Sequence, residues 1–128
     1  MFHYTVETSK TIDEAINELE QHLKEEQFGV LWKFDLQEKL KEKGLDFNEK
    51  YKILEVCNPV EAHRVLLANR LNGYFLPCKI AVYEHEGRTA IGMPRPTSLI
   101  GMAGDTSEMA ALAADVEKRL IACIDKCK

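Results

Sequence analysis

The sequence lacks the features that identify several large classes of protein. No apolar run approaches the roughly 20 residues that a helix needs to cross a bilayer, which argues against a membrane-spanning protein. Its 17 lysines and arginines are outnumbered by 21 aspartates and glutamates, so no concentrated basic surface is available for a nucleic acid. The first residues also lack the basic flank and apolar segment of a secretory signal. We therefore expect a cytoplasmic protein that binds neither nucleic acid nor membrane.

Motifs for common cofactors are missing as well. The chain contains neither of the glycine-rich patterns G-x-x-x-x-G-K-S/T and G-x-G-x-x-G, so nucleotide binding has little support. Its four cysteines include no C-x-x-C pair and no zinc-finger spacing. A chain of this length does not need a disulfide framework, so reduced thiols are expected. The sequence assigns no cofactor.

What the sequence does contain is the pattern of one α+β domain over residues 1–128. Apolar and polar residues alternate with a period of two in the predicted strands, whereas the predicted helices each carry one apolar stripe. Reading these patterns along the chain gives the order β-α-β-α-β-α-β-β-α. A two-layer sandwich, with a mixed sheet and helices mainly on one face, is the simplest way to bury those helix faces.

Three local patterns make specific predictions. The capping-box sequence from Thr11 to Glu14 predicts a helix from about Ile12 to Glu26. The alternation of Phe28, Val30, Trp32 and Phe34 predicts that they share one face of a strand, with Trp32 in the core.

The third pattern lies around the predicted strand 51–57. Asn58 and Pro59 follow it as N-cap and first residue of a helix that is expected to end at Gly73. The spacing of Val60, Leu67 and Leu71 predicts the buried face of that helix, widened by Val65, Leu66 and Ala68.

Two short segments resemble a known family. The first is Glu55-Val56-Cys57-Asn58-Pro59, followed by Ala62 and Leu66, and the second is Leu76-Pro77-Cys78-Lys79-Ile80, followed by Val82-Tyr83-Glu84. Together with the opening strand, the first helix and the Phe28–Leu31 strand, they are similar to the bacterial family called domain of unknown function 302. The resemblance covers essentially the whole chain. It implies a small bacterial α+β domain and provides no catalytic residues.

Cys57 and Cys78 are candidate reactive thiols. Cys57 precedes a helix N-terminus, where backbone donors and the positive end of the helix dipole favour a thiolate. The alternative is that both cysteines are small apolar residues of buried strands. If the two strands run parallel, the thiols lie at opposite ends of the sheet, whereas an antiparallel arrangement could bring them together.

Two further groups could bind a metal. Glu84, His85 and Glu86 place an imidazole between two carboxylates at a predicted hairpin tip, where a solvated charged turn is the competing interpretation. Cys123 and Cys127 lie one helical turn apart, but a tetrahedral site needs two more ligands. We expect Cys123 in the core and Cys127 in a frayed C-terminus.

The segment 87–104 is the best place in the sequence to look for a ligand. It contains no acidic residue, so Arg88 and Arg95 have no local counter-charge and could bind an anion. Met93 and Met102 could contact an apolar group, and Gly101 allows close approach of the backbone. The alternative is a connection that covers the core or a subunit interface.

These observations leave two hypotheses about function. The first is a non-enzymatic module that self-associates, as a homodimer, or binds a small and possibly anionic ligand. The second is a thiol-based redox protein, a metal-binding protein or a small-metabolite enzyme that uses Cys57 and Cys78. Whether the protein is an enzyme is not decided by its sequence.

Overall fold

The structure is a computed structural model that describes residues 1–100 and 107–128, and only the backbone of Ile100. The strands are β1 (His3–Thr8), β2 (Gly29–Asp35), β3 (Tyr51–Cys57), β4 (Cys78–His85) and β5 (Arg88–Pro94). The helices are α1 (Ile12–Glu25), α2 (Leu36–Glu42), α3 (Pro59–Ala68), a 3-10 helix (Arg70–Phe75), α4 (Pro96–Ile100) and α5 (Ser107–Asp125). Gly101 and Met102, two of the predicted ligand residues, lie outside the described part of the chain.

The five strands form one sheet in the order β1-β5-β4-β3-β2. Every neighbouring pair is antiparallel, so the α+β class is confirmed, whereas the parallel component of the predicted mixed sheet is wrong. The reason lies in the connection between β3 and β4. Helix α3 leads away from the end of β3 and the 3-10 helix leads back, so β4 begins beside that same end.

The hydrophobic core lies between one face of this sheet and the two long helices, α1 and α5. The face that the helices cover, here called the inner face, contributes the fully buried Leu54, Val56, Ile80, Val82 and Ile91. Helix α1 contributes Leu19 and Leu23, and α5 contributes Leu120 and Ile124, all at most 1% exposed. The predicted layer of helices on one face is therefore present.

Local signals placed the helix starts correctly. Thr11 caps α1 through a capping box with Glu14, and Asn58 caps α3 by accepting hydrogen bonds from the backbone N–H groups of Val60 and Glu61. The expected end of α3 at Gly73 is wrong, because α3 stops at Ala68 and Gly73 lies inside the 3-10 helix.

Two predicted buried faces are exposed in part. A β-bulge between Val30 and Trp32 reverses the alternation of β2, so Val30 packs against the core while Trp32 faces the other side of the sheet, 54% exposed. In α3, Val65 is buried, whereas Val60 and Leu67 are 57% and 75% exposed. Of the predicted apolar face, Val65 is therefore the residue of α3 that is buried.

The C-terminus is not frayed as expected. Cys127 is fully buried, its N–H donates to the carbonyl of Ile124, and Lys10 Nζ donates to the Cys127 carbonyl at 3.1 Å. No helix in the described residues is long and apolar enough to cross a membrane.

Candidate functional site

A largely apolar pocket lies at the end of the sheet where β4 begins and β5 ends. Its volume is about 210 Å³, and we call it the Cys78 pocket. Side chains from four helices, from both strands and from the connection before β4 form its wall: Val65, Asn72, Tyr74, Phe75, Leu76, Pro77, Cys78, Lys79, Met93, Pro94, Pro96, Leu99 and Leu120. Met93, a predicted ligand residue, and Cys78, a predicted thiol, therefore meet in one place.

One side of the pocket depends on α4, a helix of only five residues that supplies Pro96 and Leu99. A carboxylate of α5 holds this helix. Glu117 is 7% exposed, and its Oε1 accepts hydrogen bonds from both the backbone N–H and the hydroxyl of Thr97, at 3.2 and 2.7 Å. Because four backbone donors at a helix start lack partners within the helix, this contact stabilises the first turn of α4.

Arg95 is not uncompensated, as the sequence suggested. Its guanidinium lies 3.0 Å from Glu117 Oε2, across 22 positions of the chain. Burial alone would raise the pKa of Glu117, but the hydrogen bonds from Arg95 and Thr97 outweigh burial and hold that pKa below its usual value. Arg95 is thus committed to the wall of the Cys78 pocket.

Arg88 stands apart from this site. It begins β5, whereas Arg95 follows the end of that strand, so about 20 Å of extended chain separates them. A single small anion cannot contact both residues. Of the proposed ligand residues in the described chain, only Met93 lines the Cys78 pocket directly, and Arg95 supports it from behind.

The two candidate thiols lie on adjacent antiparallel strands, the arrangement that could bring them together. Cys78 is directly opposite Val56, so it shares the inner face with that buried residue, whereas Cys57 lies one position further along and on the other face. Burial, with a smaller effect of nearby Cys57, raises the pKa of Cys78 to about 11. Burial also raises the pKa of Cys57, the opposite of the direction that a helix N-terminus favours.

The possible metal ligands of the β4–β5 hairpin are not arranged around a common point. Glu84 and His85 end β4, and Glu86 occupies the turn with a φ of 50°. His85 Nε2 lies 3.9 Å from Glu86 Oε1. Among residues 1–100 and 107–128, no three histidine, cysteine or acidic side chains are arranged to hold a metal ion.

Sequence reasoning missed two important residues of the site. Asn72, 2% exposed, belongs to the pocket wall but reads in the sequence as part of a helix end. Glu117 lies in the sequence between Val116 and Leu120, two residues of the apolar stripe of α5. A carboxylate next to buried apolar residues is usually paired with a cation. The position of Glu117 could therefore have indicated a partner elsewhere in the sequence, such as Arg95.

Comparisons with known proteins identify the family. Residues 4–127 match the family described as "Domain of unknown function DUF302". The crystal structure of an uncharacterized conserved protein DUF302 from Bacillus stearothermophilus has 58% sequence identity and a TM-score of 0.96, covering 100% of this chain and 99% of that one. The comparison with curated proteins gives no match. This chain therefore belongs to the DUF302 family.

Proposed function

We propose that this protein is a non-enzymatic cytoplasmic module that binds a small ligand in the Cys78 pocket. The observation that carries the proposal is the pocket itself, whose wall is mainly apolar and combines segments from residue 65 to residue 120. A volume of 210 Å³ exceeds the ~150 Å³ of an engineered cavity that binds benzene but is smaller than the ~300–1,000 Å³ of drug-sized sites. It suits a molecule with one ring or a short chain.

The state of the cysteines supports a binding role over thiol catalysis. A nucleophilic cysteine requires a lowered pKa, whereas the pKa of Cys78 is raised to about 11. All four cysteines are free, as is usual for proteins of a reducing compartment, which supports a cytoplasmic location.

Ligand-observed NMR with neutral molecules of about six to nine heavy atoms tests the binding role. At about 0.7 kcal/mol per atom, an eight-atom ligand would have a Kd near 0.1 mM. We expect at least one saturable binder, lost in Leu99→Trp because the indole fills the pocket. Leu67→Trp makes the same change at a side chain that is 75% exposed on α3 and should leave binding unchanged.

Two results would count against the binding role. One is the absence of any saturable binder up to about 10 mM, well above the Kd expected for an eight-atom ligand. The other is a binder that Leu99→Trp leaves unaffected.

A second proposal, homodimerisation, is supported by the sheet face opposite the core, here called the outer face. Trp32 stacks on Phe34 with 5.1 Å between ring centroids, and Tyr51 stacks on Tyr83 at 4.8 Å. Beside these rings a groove of about 460 Å³ passes over Gly92. In a two-fold contact, the stacked aromatic rings of one copy can enter the groove of the other.

The size of the outer face is also adequate for a second copy of this chain. Five strands spaced ~4.8 Å apart, with about seven residues at ~3.3 Å each, project over roughly 550 Å². The side chains that project from the sheet add to this flat area and bring it towards the ~800 Å² per partner of a standard interface.

Sedimentation equilibrium at micromolar concentration tests the dimer. We expect twice the 14.6 kDa mass of the chain, and the monomer mass for Tyr83→Lys because it places a charge in the centre of the contact. Leu67→Lys, on α3 and away from the outer face, is the control and should remain dimeric. A wild-type protein that sediments only as a monomer overturns this proposal.

A further inference from the structure

Within the apolar wall of the Cys78 pocket, Asn72 is a polar side chain that is only 2% exposed. Its Nδ2 donates to the backbone carbonyl of Val65 at 2.8 Å and lies 3.9 Å from the sulfur of Met109. The carbonyl can only accept, so this contact fixes which end of the amide is the nitrogen. The amide oxygen is the end that remains for another partner.

No donor among the described residues reaches Oδ1 of Asn72. That oxygen is also not among the fully enclosed side-chain polar atoms of the described residues that make no hydrogen bond, so it keeps some accessible surface. Asn72 is part of the pocket wall, so this oxygen is a side-chain acceptor of that wall with no partner among the described residues. A bound molecule can therefore donate a hydrogen bond to it.

The charges around the pocket argue against an ionic ligand. Lys79, which lines the pocket, is paired with Glu55 at 2.9 Å. Arg95, next to the lining residue Pro96, is paired with Glu117 at 3.0 Å. An anion would lose its hydration in an apolar wall without gaining an unpaired counter-charge, and it would also face an amide oxygen that can only accept. A cation would find no carboxylate among the described residues of the pocket wall.

We infer that the Cys78 pocket selects neutral molecules with an apolar body and one hydrogen-bond donor, such as phenols and short alcohols, which donate to Oδ1 of Asn72. This inference rests on the proposed function and names the chemical class of the ligand. The volume of 210 Å³ limits the body to about one six-membered ring with a small substituent.

Three single-ring probes separate the alternatives: p-cresol carries a donor, toluene carries none, and p-toluate is an anion. By titration followed with NMR, we expect p-cresol to bind about 5- to 10-fold more tightly than toluene, since one hydrogen bond contributes roughly 1 kcal/mol. We expect p-toluate to bind at least about 10-fold more weakly than p-cresol. In the wild-type protein, p-cresol should shift the side-chain amide resonances of Asn72 more than toluene does.

The variant Asn72→Leu removes the acceptor at nearly constant volume. This variant should still bind toluene, and it should bind p-cresol and toluene with about equal affinity. The shifts of the Asn72 amide resonances in the wild-type protein test the same hydrogen bond without any substitution. If the wild-type protein binds toluene and p-cresol equally, or binds p-toluate most tightly, the inferred ligand class is wrong. The proposed binding role still holds in that case if Leu99→Trp abolishes the binding. If none of the three probes binds, the inference fails, and if no neutral molecule of the wider set binds either, the binding role fails with it.

Discussion

Replacing Glu117 by Ala should destabilise the protein by about 2 kcal/mol, or roughly 8 °C in Tm for a chain of this length. The substitution removes the partner of Arg95 and the single oxygen that accepts both hydrogen bonds of Thr97, and it leaves these donors at a half-buried position. Removing one member of a fully buried ion pair costs about 3–5 kcal/mol, and the lower figure applies because the Arg95 side chain is 39% exposed and can reach water.

The measurement is urea unfolding followed by circular dichroism, and Glu25→Ala is the matched control. The Glu25 side chain is 63% exposed at the end of α1, so its removal should change the free energy of unfolding by less than about 0.5 kcal/mol. A Glu117→Ala protein as stable as the control would contradict a supporting role for this carboxylate.

The contribution of Glu117 should also depend on pH in a definite direction. Its pKa is lower in the folded protein than in the unfolded chain, so the folded state favours the ionised form. The stabilisation is therefore fully present above the unfolded pKa, about 4.3 for Glu, and is lost as the pH falls through the lower folded value. The stability difference between wild type and Glu117→Gln should be largest near pH 7 and should shrink below about pH 4.

The parts of the fold that could be predicted are those specified by neighbouring residues. The strand 51–57 and the helix start at Asn58 and Pro59 were both located correctly. In each case the information is local, because an alternating pattern or a capping side chain acts within a few positions. The bulge that turns Trp32 outward has no such local signature in this sequence, and one extra residue was enough to reverse the predicted face.

The site could be predicted only in part, because its contacts join distant segments. Met93 and Cys78 were singled out separately, and only the antiparallel order of β4 and β5 brings them to one pocket. The interpretation of Arg95 as a free cation failed because its partner, Glu117, lies on a different helix. Sequence reasoning found the apolar and thiol groups of the pocket but not the hydrogen-bonding residue Asn72, which is brought to the wall by the 3-10 helix.

Native alkylation with iodoacetamide should modify Cys78 about 100-fold more slowly than an unperturbed thiol. The reactive species is the thiolate, and raising the pKa from 9.0 to about 11 lowers its fraction near neutral pH by two orders of magnitude. Cys127, whose pKa is also raised to about 11 mainly by burial, should react as slowly or more slowly because it is fully buried. Peptide mass spectrometry after timed quenching gives the rate at each cysteine.

The same reagent in urea provides the control, since all four cysteines should then react at similar rates. The comparison decides between the two classes of function. A binding module needs Cys78 only as a small apolar part of the pocket wall, so protection until unfolding is the expected result. Fast native modification of Cys78, or modification of native Cys57 faster than of Cys57 in urea, would show an activated thiol and favour the redox or enzymatic alternative, because burial alone can only suppress that reaction.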